Sequence, residues 1–388
     1  MKKFNTKQAT RTRDGFLQTE AKRSTVAGRP TKIVATLLCG NAEVIVEAAI
    51  RSIIDWVDEI CLIDTGVTDG TLDRVVAIAG GKMSRSTFKW CNDFARARNA
   101  AIEVAERANA TWALTIDTDE RLEFTAYKNK QQLVQVLESD PKIIAWMVPS
   151  RDGCYNKERF LRIPTDVRWE GRTHEALVGA KNGERLLMAG CHFWETPKSP
   201  PEFQHKSERD LNILLDETAA QPLNPRWWYY LGQTYEGLKQ YRQAIDAFDK
   251  CIRLDGWPDE SSWASYTAAR CWVALEEYRK AEEYCGLGMA RKPSVPELPW
   301  LAGWCCFKRG AWTDAVTWST LAIMLAKEKV DCRAAAFRYL PAWYEAPYDV
   351  LRFTYVCLNA PELANQAELD FEFAKAARLN SLSSAKNH

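Results

Sequence analysis

Asp117, Asp119 and Glu120 place three carboxylates within four residues, directly after the apolar run Thr111-Trp-Ala-Leu-Thr-Ile116. In an extended segment residues i and i+2 point to the same side, so Asp117 and Asp119 share a face. Like charges held that close repel unless a cation joins them. A hard divalent cation with oxygen ligands is the natural partner. Asp-x-Asp alone is common in surface turns; at the end of a buried strand it is a candidate metal site. The second signal is histidine. The chain has four, and His174, His192 and His205 fall in one central stretch, with His388 at the end.

These residues need a scaffold. Ile33–Cys39 is short, apolar and rich in β-branched residues, which predicts a buried strand ending at Gly40–Asn41. Apolar spacing predicts a helix over 42–56. A second buried strand, Glu59–Ile63, ends in Asp64-Thr-Gly-Val-Thr-Asp-Gly70. A helix over 71–80, a short strand Thr87–Trp90, a helix over 93–109 and a strand at 111–116 follow. Such alternation predicts a mostly parallel α/β sheet covered on both faces. Ligands of these sheets bind beyond the carboxyl ends of the strands. The polar clusters Gly40–Glu43, Asp64–Asp69 and Asp117–Glu120 all lie there, so one crevice collects them. Residues 142–205 are less regular, with strand-like pieces at Ile143–Pro149, Phe160–Ile163 and Leu186–Ala189.

From residue 206 the pattern turns helical and repetitive. Gly232, Ala269 and Gly303 are spaced 37 and 34 residues apart, and Ala244, Ala281 and Ala315 keep those offsets. So do Tyr241, Tyr278 and Trp312. A period near 34 with Trp228, Leu231, Gly232, Tyr235, Ala244 and Phe248 in order is the tetratricopeptide pattern. Small residues let paired helices approach, and aromatics fill the gaps. Three units are expected at 225–258, 262–295 and 296–328, with a degenerate fourth at 337–378. Ten of the sixteen tryptophans lie from Trp227 onward. Most are expected in the core, with Trp227, Trp300 and Trp318 as candidates for the concave face.

Composition bounds the rest. The 388 residues, 46% hydrophobic and 27% charged, suffice for two or three cores. A net charge of +1 argues against a globally basic nucleic-acid binder. No run approaches the ~18 apolar residues of a membrane span, and the charged start lacks the apolar stretch of a signal peptide. A cytoplasmic location is expected. The twelve cysteines show no zinc or disulfide spacing and read as reduced, buried thiols. Residues 1–32 carry nine Lys or Arg against Asp14 and Glu20. The expected organisation is a basic flexible arm over 1–30, an α/β domain over 31–205 and a repeat domain over 206–388. The arm reads as a solubilising terminus or as a phosphate grip.

Several segments, taken in order, resemble the family-2 glycosyltransferases. Gly40-Asn-Ala-Glu43 is similar to their Asn-Glu strand end. Val57-Asp-Glu-Ile60 and Asp64-Thr-Gly-Val-Thr-Asp-Gly-Thr71 resemble the next strand and its turn. Trp90-Cys-Asn-Asp-Phe-Ala-Arg-Ala-Arg-Asn99 resembles their Trp-x-Asp-Phe-Ser-x-Ala-Arg-Asn, and Leu114-Thr-Ile-Asp-Thr-Asp-Glu120 their metal motif. Arg168-Trp-Glu-Gly-Arg-Thr-His-Glu175 and His192-Phe-Trp194 look like the later His-Glu and His-Tyr-Gly motifs. The departures are Ala42 between Asn and Glu, and Val67 where Ser is common. In some members of the family such a domain precedes tetratricopeptide repeats, as here.

The resemblance implies a GT-A fold (Rossmann-like, mostly parallel) and a metal-dependent, inverting transfer of sugar from a nucleotide-sugar donor, a UDP-sugar first. It implies Mn2+ or Mg2+ bound by Asp119, with His192 or His174 completing the shell. Asp117 would reach the ribose or metal-bound water. Asn41, Glu43 and Asp64 would hold base and ribose, and Arg98 and Asn99 would support the nucleotide. Glu175 is the first candidate for the base and Glu120 the second, while His205, near the domain junction, reads as structural. The repeats favour a protein or peptide acceptor. A saccharide and a nucleic acid are the alternative acceptors, and a non-catalytic repeat scaffold is the alternative of a different class. Tryptophans on the repeats would also suit homo-oligomer formation.

Overall fold

Every second residue of β1 (Ile33–Cys39) enters one core while Val34 enters the other, because side chains alternate across a strand. Ile33, Ala35, Leu37 and Cys39 meet α1 (Val46–Ile53) and α2 (Thr71–Ala79); Val34 lies in the core formed with α3 (Phe94–Arg107). Ile50 and Ile53 of α1 are fully buried, and each contributes roughly 1.5–3 kcal/mol. These facts come from a computed structural model that describes residues 30–153, 155–327 and 337–387. The basic arm expected over 1–30 lies, apart from Pro30, outside the described residues. Residues 32–388 form one compact unit.

The other strands are β2 (Glu59–Asp64), β3 (Met83–Thr87), β4 (Trp112–Asp117), β5 (Glu120–Phe124), β6 (Ala145–Pro149) and β7 (Asn156–Arg162), then β8 (Arg168–Glu170), β9 (Ala176–Val178), β10 (Arg185–Leu187) and β11 (Cys191–Glu195). Seven form the main sheet in the order β10-β6-β7-β4-β1-β2-β3. It is parallel except where β7 runs against β4 and β6. This is the mostly parallel α/β arrangement expected. Register aligns the strand ends: Asp64 pairs with Cys39 and Asp117 with Leu38.

Two expectations need correction. The short strand placed at Thr87–Trp90 is Met83–Thr87. Its polar residues Ser84 and Ser86 lie at the sheet edge and leave no apolar run to mark it. Trp90 lies beyond it, edge-to-face on Phe94 with ring centroids 4.8 Å apart. The antiparallel pair β5–β11, a separate sheet, was not expected at all. It follows the carboxylate cluster directly and fixes that cluster's exit.

Helices take over at α5 (Pro200–Ala220), whose Ser199 and Glu202 form a reciprocal capping box. The hairpins α6 (Pro225–Gly237) with α7 (Tyr241–Leu254), α8 (Pro258–Ala274) with α9 (Tyr278–Arg291), and α10 (Glu297–Lys308) with α11 (Trp312–Lys327) match the three expected units. A short α12 (Leu340–Trp343) leads to a last hairpin, α13 (Ala346–Cys357) and α14 (Pro361–Asn387). A Cβ on Gly232 would stand 2.6 Å from the ring of Phe248, which is fully buried and has no room to move. Gly232→Ala is therefore expected to cost ~1–3 kcal/mol by overpacking, seen as a lower calorimetric transition. An unchanged transition would show that the hairpin can spread.

The tryptophans assigned to the concave face pack elsewhere. Trp227 is buried against Gly171 of the α/β domain. Trp300 and Trp318 are partly buried against the cores between repeats. The ten cysteines among the described residues are free thiols, eight of them buried. No helix among the described residues is long and apolar enough to cross a membrane.

Candidate active site

Asp64 closes β2 by turning its own loop. Its Oδ1 accepts from the backbone N–H of Gly66 and of Val67, both at 2.8 Å, and its Oδ2 pairs with Arg85. Val67, Gly66 and the Arg85 charge together hold this carboxyl below the usual range, against the effect of burial. Gly66 has φ +120, a conformation that favours glycine. Asn41 secures the far side of the loop, accepting from Thr68 N–H at 2.8 Å and donating to its hydroxyl at 2.9 Å. Glu43 accepts from Gly70 N–H at 3.3 Å, at the start of α2. All three residues shape the 64–70 loop at the carboxyl end of β2.

A second polar cluster begins at the end of β4. Asp117 accepts two hydrogen bonds from Arg98 Nη2, at 3.0 and 3.2 Å, and lies 3.6 Å from Arg159 Nη2. Burial opposes its charge, yet Arg98, Arg159 and Lys157 hold its carboxyl well below the usual carboxylate range. Arg98 is buried on α3. It donates from Nε to Glu175, and its guanidinium lies over the Trp169 ring at 5.5 Å. One guanidinium thus joins Asp117 to Glu175. Among the described residues its Nη1 is buried without a partner, as is Arg159 Nε. Buried donors are normally satisfied, so two orphans beside carboxylates suit a site that takes a ligand's oxygens.

Asp119 lies in the turn after β4 with a side chain 20% exposed, and among the described residues its ion-pair partner is Lys198. Its carbonyl accepts from Thr196 N–H at 2.8 Å, which ties the turn to the end of β11. Glu120 behaves differently. It is fully buried, pairs with Arg159, and accepts from Lys157 Nζ at 2.8 Å and from Asp117 N–H at 3.1 Å. Lys157 also pairs with Glu195. A carboxylate enclosed in this way has no open face toward an acceptor, which separates Glu120 from the exposed part of the cluster.

The histidines do not gather at Asp119. His192 contacts Glu123 Oε2 at 2.6 Å, across the small sheet. It is four residues from Thr196, roughly 13 Å along a strand. His174 has φ +49, and its ring stacks on Tyr230 with centroids 4.1 Å apart. Burial, then the nearby Lys206 charge, push its pKa down to about 4. His205 lines a separate cleft of about 370 Å³ with Asn92, Arg172, Arg209 and Asp216. Asn99 spends both ends of its amide on the backbone of Trp169, each at 2.9 Å, and so positions β8. Among the described residues no three His, Cys, Asp or Glu side chains converge to hold a metal by themselves.

Lys157, Arg159, Lys198 and Arg85 were not singled out from the sequence. Lys157 and Arg159 alternate along β7 and so face the same side. That spacing was a readable signal. Lys198 and Arg85 had none.

A mostly parallel α/β sheet with carboxylates at its strand ends, followed by helical hairpins, is a two-domain architecture of sheet domain and repeat domain. Comparison with known proteins agrees: residues 36–194 match the family described as glycosyl transferase family 2, and residues 225–256 match the tetratricopeptide repeat. The chain therefore carries a family 2 glycosyltransferase domain and a tetratricopeptide-repeat domain. It is 25% identical over 240 residues to the SPbeta prophage-derived glycosyltransferase SunS of Bacillus subtilis (strain 168), covering 59% of this chain and 56% of that one. The chain thus spans little more than half the length of this curated relative. A TPR repeat-containing protein of Synechococcus elongatus is 32% identical over 133 residues, 32% of this chain and 30% of that one. Among solved structures, MamA (residue 41 to the end) from Desulfovibrio magneticus RS-1 aligns at 16% identity and a TM-score of 0.36. That alignment covers 45% of this chain and 94% of MamA.

Proposed function

We propose that the chain transfers a sugar, with inversion, from a nucleotide-sugar donor to a side chain of a protein or peptide that the repeat domain recruits. A UDP-sugar is the first donor to consider. The observation that carries this reading is the charge of the cluster. Asp117, Asp119, Glu120, Glu175 and Glu195 are five carboxylates, tied by ion pairs to the four cations Arg98, Lys157, Arg159 and Lys198. Among these ion-paired groups one negative charge remains. A diphosphate adds more, which supports a further cation arriving with the donor.

Asp119 suits that cation. Among the described residues its ion-pair partner is Lys198, a side chain on a loop, whereas Asp117 is held by Arg98 and Arg159. Mg2+ and Mn2+ are commonly held by one or two carboxylates plus substrate phosphates, and this donor set fits that pattern without a histidine. When bound, the metal supplies charge neutralisation for the departing diphosphate. Arg98 orients Asp117 and Glu175 at once, and the 64–70 loop is the wall for the nucleoside. Glu175 keeps Oε1 on Arg98, and its Oε2 takes the acceptor proton as the acceptor attacks the anomeric carbon. The tetratricopeptide match supports a polypeptide acceptor.

The test is nucleotide release from a panel of UDP-, GDP- and TDP-sugars with and without Mn2+. One metal-dependent donor is expected, and Asp119→Ala is expected to lower its turnover by ~10²-fold or more. Near-wild-type turnover in folded Asp119→Ala would overturn the assignment.

A further inference from the structure

The loop 171–175, between β8 and β9, carries Glu175, and the helical domain grips it at each of its first four residues. Gly171 has φ +104, and a Cβ there would stand 2.7 Å from Trp227 of α6. Arg172 pairs with Asp216 of α5 at 3.2 Å. The Thr173 hydroxyl lies 3.3 Å from Asp210, also on α5. His174 is stacked on Tyr230 of α6, and its carbonyl accepts from Arg226 Nη2 at 3.1 Å. Arg226 in turn packs over Tyr230 at 4.8 Å and reaches Glu260 of α8 at 3.5 Å. The residue after His174 is Glu175.

His174 holds a left-handed backbone conformation that is unfavourable for a residue with a side chain. Such a conformation persists where its surroundings over-determine it. Here the surroundings are the ring of Tyr230 and the guanidinium of Arg226, both from the first repeat. We infer that Tyr230 and Arg226 are positioning residues for the transfer reaction: acting through His174, they set where Glu175 stands relative to Arg98 and Asp117. The catalytic site is then incomplete without the first repeat. The inference rests on the reading of Glu175 as the base.

The experiment compares Tyr230→Leu, Glu175→Gln and the double variant in the full-length chain. Hydrolysis of UDP-glucose and UDP-N-acetylglucosamine and calorimetric affinity for UDP are the readouts. Tyr230→Leu is expected to lower kcat ~10–100-fold, because misplacing a reacting group by about 1 Å costs up to ~10²-fold. Its KM and its UDP affinity are expected to stay within about twofold. Added to Glu175→Gln, Tyr230→Leu is expected to cost nothing more, since residues acting through one another are not additive. Full kcat in Tyr230→Leu, or losses that simply add, would overturn the inference. Unchanged turnover in Glu175→Gln would instead remove Glu175 as the base, a separate failure. Should Tyr230→Leu fail to fold, the charge-neutral pair Arg226→Met with Glu260→Gln tests the same contact, and the same two outcomes decide it.

Discussion

Glu175→Gln is expected to lower turnover ~10²–10⁴-fold, the usual contribution of a positioned general base. The amide matches the carboxylate in shape but cannot accept the acceptor's proton. Arg98 remains held, because Asp117 still accepts two hydrogen bonds from its Nη2 and Trp169 still underlies its guanidinium. The fold and the affinity for UDP should therefore survive, and only kcat should fall. Single-turnover transfer and UDP titration separate the two. The opposite pattern, weakened UDP binding with turnover intact, would make Glu175 a counter-ion for Arg98 and nothing more. The assignment of the base would then be wrong, while that of the donor site would stand.

The centre of the main sheet was legible because β1, β2 and β4 are buried on both faces and write continuous apolar runs, as in Ile33–Cys39 and Glu59–Ile63. The carboxylates at their ends were legible for the same reason, since a buried strand makes its polar terminus conspicuous. The repeats were legible through Gly232, Ala269 and Gly303, whose small size the helix pairing demands. What escaped was sidedness at short range. Asp119 and Glu120 are neighbours, yet one is partly exposed and the other fully enclosed, because β5 starts at Glu120 and aims it at Arg159. A sequence shows two adjacent acids and no reason to part them. His192 was grouped with the metal by type, but its partner across the small sheet is Glu123. That sheet could not be foreseen, because β5 is polar and half-exposed along most of its length. The grip on loop 171–175 was equally hidden, since Trp227 and Tyr230 read as ordinary repeat aromatics.

Glu120 separates the structural and the chemical reading of the acidic cluster. Glu120→Ala is expected to destabilise the protein by ~3–5 kcal/mol, the cost of removing one partner from a buried ion pair. Arg159 is 2% exposed and Glu120 not at all, so the loss leaves a guanidinium in the interior with Asp117 at 3.6 Å as its remaining counter-charge. Lys157 would keep only Glu195. Chemical denaturation with tryptophan fluorescence reads the effect, because Trp112 is fully buried in β4, the strand that leads to the cluster, and reports on global unfolding. Removing both charges, as in Glu120→Gln with Arg159→Met, is expected to recover part of the stability, since a neutral pair leaves no unpaired ion. If Glu120→Ala kept its stability but lost turnover, Glu120 would be a reacting group and would compete with Glu175 for the role of base. If stability falls and returns in the double variant, Glu120 is the pin that orients the cations around Asp117.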